Sequence, residues 1–273
     1  MLDKELYLAF EVLEYALLNA PGAPLKKALI DAGIGKDIMG SYDNGIYQPI
    51  FSVIAKNANE EQKEEFLAII RSVLEDCVKN GISKKSLLAG INSMEFKFRE
   101  ADFGAYPKGL MYGLQCLDSW IYDEKEPFMH IEAIETYAFL KEQTKGRYFE
   151  ELVQKYLLDN THVSVVITKP QKGLNAENEK ALEEKLAAYK ATLSKEEIDS
   201  LIADTRHLKE YQEEPSPKED LEKIPLLKRE DLKKDIVKLT NEECEVAGVP
   251  ALYHDVFTSG IHYVDFMFDI KHI

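Results

Sequence analysis

Apolar residues recur at three- and four-residue steps from the start of the chain: Leu2, Leu6, Phe10 with Ala9, Leu13 and Leu17. That spacing lays them along one stripe of an amphipathic helix, which Pro21-Gly22 ends. Pro24 suits the first turn of a second, short helix running to about Ala32, and Gly33 and Gly35 read as its stop. The run 46–56 is rich in branched and aromatic residues (Ile50, Phe51, Val53, Ile54) and predicts a strand. Asn59 and Gln62 form a capping box ahead of a helix whose face is Phe66, Ile69, Ile70, Val73, Leu74 and Cys77, and Asn80-Gly81 stops that helix. Ser83 caps the next, which carries Leu87, Leu88, Ile91, Met94 and Phe98; residues 106–158 read as further helices broken around Pro127 and Gly146. An alternating run then places Val163, Val165 and Ile167 on one face before Lys169-Pro170. It predicts a strand over 161–168 in one sheet with 46–56, and further pairing is expected near 36–42, because two strands alone make a poor sheet.

The character changes over 176–211. Leu182, Leu186, Tyr189 and Leu193 make one helical stripe, and Ile198, Leu201, Ile202, Thr205 and Leu208 make a second. Ser194 with Glu197 forms the capping box of the second helix, almost without a loop, so an antiparallel helical hairpin is expected. Glu213-Glu214-Pro215-Ser216-Pro217 breaks helix, and the acidic stretch to Lys234 reads as an extended linker. Beyond it, 251–257 and 261–270 predict two strands joined across Thr258-Ser259-Gly260, with Val264, Phe266, Phe268 and Ile270 on one face. The expected fold class is α+β: helices on a small mixed or antiparallel sheet, then the helical hairpin, then the first strands of a further α+β domain. The expected divisions fall at 1–172, 173–234 and 235–273. The chain opens inside a helical pattern and stops inside a strand pattern, so both ends are expected to be cuts in a longer protein.

With 273 residues, 45% of them apolar, the chain can bury a sizeable core. Its net charge of −15 disfavours nucleic acid or an anionic membrane as partner, since either needs clustered Lys and Arg, and favours cationic or neutral ligands. No apolar run approaches the roughly 18 residues of a membrane span, and the acid-bearing N-terminus is unlike a signal peptide. Cys77, Cys116 and Cys244 are widely spaced, without a CxxC, so neither a disulfide framework nor a metal knuckle is indicated and a cytoplasmic compartment is expected.

Candidate chemistry is sparse. A zinc peptidase needs H-x-x-E-H or H-E-x-x-H on one helix, two histidines for the metal and a glutamate to activate water. The six histidines, at 130, 162, 207, 254, 262 and 272, supply neither. His130, in HIEAIE, comes nearest but has no second histidine on its helix face. His254 and His262 flank the proposed turn and could meet across a hairpin, yet exposed strand histidines are the plainer reading because a catalytic zinc needs three protein ligands. Cys77 and Cys116 lie on apolar helix faces as small hydrophobes, and Ser216 and Ser259 lack a nucleophile elbow. Gly33-x-Gly35 follows a helix and is too short for a dinucleotide loop; Glu60-Glu61 and Glu64-Glu65 complement a helix dipole. Tyr106, Tyr112, Trp120 and Tyr122 read as core packing in preference to ligand stacking. The expected catalytic, cofactor-binding and metal-ligating residues of this chain are therefore none.

Several stretches nevertheless carry a resemblance. Leu17-Leu18 through Pro21-Gly22-Ala23-Pro24-Leu25, then Lys27-Ala28-Leu29 and Gly33-Ile34-Gly35, look like a small-residue turn between two helices, followed by Gln48-Pro49-Ile50-Phe51-Ser52. Phe96 and Asp102-Phe103-Gly104, Ile224-Pro225-Leu226-Leu227, Val249-Pro250, and Thr258-Ser259-Gly260-Ile261 with Tyr263 continue the match in order. In these the chain resembles the presequence protease branch of the insulinase/pitrilysin zinc metallopeptidases, over the second domain, the joining hairpin and the start of the third domain. Ser259 stands where relatives often carry asparagine. The resemblance implies a noncatalytic piece of an ATP-independent zinc endopeptidase that closes two halves around short unstructured peptides. This piece would supply chamber wall and hinge, with zinc only in the parent and the remaining domains and the peptides as partners. The alternative is a free-standing scaffold that uses the hairpin to bind a partner.

Overall fold

The computed structural model describes residues 2–232, 235 and 240–271. Helix α1 spans Lys4–Glu14, and Asp3 caps it by accepting from the amides of Glu5 and Leu6. Its last turn widens into a π-turn over Tyr15–Asn19, closed by the Ala20 amide donating to the Tyr15 carbonyl at 2.7 Å. Along this one segment Ala9, Val12, Leu13, Ala16, Leu17 and Leu18 are all at most 1% exposed. Burial on that scale, about 1.5–3 kcal/mol for each large side chain, makes the segment the centre of the core. Helix α2 spans Pro24–Asp31 with proline in its first turn. It ends in a Schellman motif: the Gly33 amide donates to Ile30, the Ile34 amide donates to Leu29, and both Leu29 and Ile34 are fully buried.

Strands β1 (Asp37–Asp43) and β2 (Ile50–Lys56) form an antiparallel pair with Ile38 opposite Ala55, Gly40 opposite Val53 and Tyr42 opposite Phe51. Those three pairs share the face turned to α1 and the π-turn, and β1 lies against both. Gly40 permits the approach, since a Cβ there would lie 2.6 Å from Leu18 Cδ1. The strand near 36–42 is thus present as expected.

Helices α3 (Lys63–Asn80) and α4 (Lys84–Glu100) follow, with the capping box of Asn59 and Gln62 formed and Ser83 accepting from the Ser86 amide. Helices α5 (Lys108–Trp120), α6 (Ile134–Gln143) and α7 (Tyr148–Val153) complete the run, and a second π-turn covers Gln154–Leu158. Both α4 and α6 pack on α1, while α3 packs on α2 and α7. The buried Glu150 carboxylate accepts from the Ile82 amide at 2.9 Å, tying the turn between α3 and α4 to α7.

The strand expected over 161–168 is not formed. Its residues have no ladder partner among the described residues, and Val163, Val165, Val166 and Ile167 are between 42% and 83% exposed. Alternation specifies two faces of a strand, but a strand also needs a neighbour to satisfy its amides and carbonyls, and β1 and β2 pair with each other.

The chain divides into two compact units, Met1–Val165 with Val256–Ile273, and Val166–Asp255. The second holds α8 (Leu174–Thr192) and α9 (Lys195–Glu213), joined through Leu193 and Ser194, with the Ser194–Glu197 capping box formed as the sequence predicts. Their stripes stay open: Leu182, Leu186, Tyr189, Leu201, Ile202 and Leu208 are each about half exposed. A single-turn helix α10 (Lys218–Leu221) interrupts the linker. Strand β4 (Val249–Tyr253) pairs with β3 (Glu242–Val246), upstream of it, through a turn at Ala247-Gly248. The predicted partner, 261–270, is not a strand. The acids of β3 hid it; the turn at 258–261 is nonetheless present, with positive φ at Ser259 and Gly260 as a type I′ turn requires.

Two helical glycines should respond oppositely to alanine. At Gly90 a Cβ would meet the Tyr15 ring at 2.8 Å, so Gly90→Ala is expected to destabilise by about 1–2 kcal/mol despite its better helix propensity. At Gly113 a Cβ would meet nothing within 4 Å, so Gly113→Ala should stabilise by about 0.5–1 kcal/mol. Urea midpoints of the two variants check both signs.

Candidate functional site

The histidines are dispersed. His130 is 4% exposed and stacks on the Tyr7 ring at 3.9 Å between centroids, the place of a core histidine. His162, His207, His254 and His262 are exposed, and because 261–270 is no strand, the ladder that would have paired His254 with His262 is not formed; His272 lies outside the described residues. Among the described residues no group of three or more His, Cys, Asp or Glu side chains is placed to hold a metal ion. The residues described therefore do not fit a catalytic zinc, and no chemical step runs through one here. Burial, with the charges of Asp76 and Glu150 beside it, pushes the Cys77 thiol up to about 11, which leaves almost no thiolate at neutral pH. No helix among the described residues is long and apolar enough to cross a membrane.

One polar cluster lies inside the first unit, and sequence reasoning missed it. Tyr7 and Glu11, four residues apart on α1, point the same way. The Tyr7 hydroxyl donates to Asp118 Oδ2 at 3.0 Å, and Asn44 Nδ2, in the loop between β1 and β2, donates to Glu11 Oε1 at 2.7 Å. Desolvation raises the Glu11 carboxyl, the charges of Glu14 and Asp118 add to it, and the Asn44 bond opposes it; the result is about 7. Burial, with nearby carboxylates, likewise raises the phenols of Tyr7, Tyr42 and Tyr137. The available signal was an acid between Phe10 and Val12 on a helix apolar nearly all round. The cluster has no nucleophile and no ligand set, so its chemistry is that of an anchor for α5 and for the 44–49 loop.

Asp118 turns α5 inside out. Asp118 and Ser119 face the body, Ser119 being fully buried with its hydroxyl donating to the Glu126 carbonyl at 2.6 Å. Leu110, Leu114, Leu117 and Ile121, on the opposite stripe, are 41–61% exposed. The aromatic residues read as core are in part outside it: Tyr106 and Trp120 are 66% and 51% exposed, while Tyr112 meets Phe103 edge-on and Tyr122 meets Tyr47. Periodicity tells which residues share a face, and here the Tyr7–Asp118 hydrogen bond decides that the polar face points in.

The Glu11 shift fixes a pH dependence. A carboxyl raised by burial holds its proton more tightly when folded, so stability falls as pH rises from its ordinary value near 4.5 through about 7. Glu11→Gln keeps an acceptor for Asn44 and removes the charge. Its melting temperature should exceed that of the unsubstituted chain at pH 8, and the gain should vanish by pH 4.5.

Comparison with known proteins identifies the family. Residues 1–94 match the family model described as Peptidase M16 inactive domain, and residues 168–273 match the model for the region associated with subfamily C of the M16 peptidases. The chain is 42% identical over 271 residues to Protein HypA of Clostridium perfringens, covering 99% of this chain and 28% of that protein. It is 31% identical over 274 residues to Presequence protease 1, chloroplastic/mitochondrial, of Arabidopsis thaliana, covering 98% of this chain and 25% of that protein. It is 26% identical over 268 residues to Presequence protease, mitochondrial, of Schizosaccharomyces pombe, covering 96% and 26%. The chain spans about a quarter of the length of these relatives. With both matched regions drawn from M16 peptidases and the similarity running through the segment between them, the chain belongs to the M16 peptidase family, on its presequence protease branch, as a noncatalytic segment.

Proposed function

We propose that this chain serves as wall and hinge of a chambered zinc metalloendopeptidase that degrades short unstructured peptides. The match of residues 1–94 to a domain described as inactive carries this reading, together with similarity to presequence proteases over nearly the whole chain. In it, 1–172 forms wall, 173–234 forms the hinge, and 235–273 opens the next domain. None of its residues is catalytic, zinc is held by the parent elsewhere, and the partners are the other domains and the peptides. The net charge of −15 supports peptides over nucleic acid or membrane, and three free cysteines support a reducing, cytoplasmic compartment. A gate that opens to admit a peptide and closes around it needs stiff elements joined at few points, which two nineteen-residue helices meeting at Leu193-Ser194 supply.

The purified chain should carry far less than one zinc per molecule and should not cleave an unstructured peptide. Near-stoichiometric zinc with chelator-sensitive cleavage would overturn the reading. The hinge makes a separate demand. Leu186 is 55% exposed, so Leu186→Asp should move the unfolding free energy of this chain by no more than about 0.5 kcal/mol. In the longer peptidase it should change peptide turnover and the open-to-closed ratio seen by solution scattering, with zinc content unchanged; wild-type values of both would reduce α8 and α9 to spacers.

A further inference from the structure

The C-terminal end of α4 holds a segment far away in sequence. Glu95 and Arg99 face each other one turn apart, with Arg99 Nε and Nη2 donating to Glu95 Oε1 at 2.8 and 2.7 Å. Lys141 of α6 reaches the other oxygen, Glu95 Oε2. Partial burial raises the Glu95 carboxyl, but the hydrogen bonds from Lys141 and Arg99 outweigh it and hold it below the usual carboxylate range, so the fork is charged and fixed. The guanidinium is left with Nη1, which donates to the Ser259 carbonyl at 3.4 Å. The next residue of α4, Glu100, accepts from the Tyr263 hydroxyl at 3.1 Å.

Between those two contacts lies a self-contained turn. The Ile261 amide donates to the Thr258 carbonyl at 3.0 Å, and the Thr258 hydroxyl donates to the Ile261 carbonyl at 2.5 Å. Ser259 and Gly260 take φ of 53° and 81°, which directs the Ser259 carbonyl outward from the turn for Arg99 to reach. Two consecutive residues at one helix end thus grip a preformed turn at both of its sides. The segment from Val256 onward also groups with the first unit and not with the β3–β4 pair that precedes it in sequence.

We propose that the 258–263 turn is an intramolecular strap, docked on the end of α4 through Arg99 and Glu100. It fastens the segment after the β3–β4 hairpin to the body built around α1 and fixes the point from which 264–271 emerges. That placement sets where Val264, Phe266, Phe268 and Ile270, all exposed, are offered. None of these contacts depends on the peptidase reading.

Hydrogen exchange read by mass spectrometry tests it on the chain as it stands. In Arg99→Ala combined with Tyr263→Phe, amides of 257–264 should exchange roughly five- to tenfold faster, the loss expected for two surface hydrogen bonds, one of them charge-assisted, while α1 keeps its protection. Unchanged exchange at 257–264 in the folded double variant would overturn the strap. Should Arg99→Ala loosen α4 by freeing Glu95, Tyr263→Phe combined with Ser259→Pro leaves the Glu95 network intact and decides the matter. Proline cannot take the positive φ of Ser259, so local acceleration there supports the strap and no change sinks it.

Discussion

The first unit depends on one constraint: a helix that is apolar on nearly every side must be covered on nearly every side. From Tyr7 to Leu18 every residue except Glu11, Glu14 and Tyr15 is buried. The β1–β2 pair covers one side, and α4 and α6 cover another. Close approach is permitted by glycine, Gly40 beneath Leu18 and Gly90 beneath Tyr15, because a larger residue at either place leaves no room for the backbones to meet. The π-turn belongs to the same solution: it lets the chain end the helix while Leu17, Leu18 and Leu25 all remain within the core.

Covering such a helix has a polar consequence. Glu11 and the Tyr7 hydroxyl cannot reach bulk water freely, so each takes a partner, Asn44 from the strand loop and Asp118 from α5. These two hydrogen bonds recruit elements that apolar packing alone would arrange otherwise. A helix with Leu110, Leu114 and Leu117 on one stripe would ordinarily bury that stripe. Here Asp118 and Ser119 are already committed inward, and the leucines face out. An unpaired buried hydroxyl costs more than a half-exposed leucine, which decides the orientation.

The parts of the fold legible in the sequence are those set within a few residues. The Asn59–Gln62 and Ser194–Glu197 boxes, the proline start and glycine stop of α2, and the positive-φ turn at Ser259-Gly260 all depend on local backbone chemistry. What failed depends on partners. Residues 161–168 and 261–270 alternate as strands do, yet among the described residues no strand lies beside them. Glu242 to Val246 carries three acids and forms β3 because Val249 to Tyr253 returns alongside it across a two-residue turn. Glu11 was illegible for the same reason: its environment is built by Asn44 and Asp118, both distant in sequence.

The distribution of apolar surface separates the body from what joins it. The buried core residues described here lie between Tyr7 and Val153, whereas the outward stripe of α5, the seams of α8 and α9, and most of the run from Val264 to Ile270 stay about half exposed or more. Exposed apolar surface of that extent in one chain marks sites of contact. Under the reading proposed above, those surfaces are where a polypeptide roughly four times as long would finish its burial, and the body around α1 is the part that can fold first, because its contacts close within the first 158 residues. The strap then has a mechanical meaning. Arg99 and Glu100 sit on a helix that packs directly on the central segment, so the point at which the following domain begins is referred to the buried core of the first unit and not to the open hinge helices.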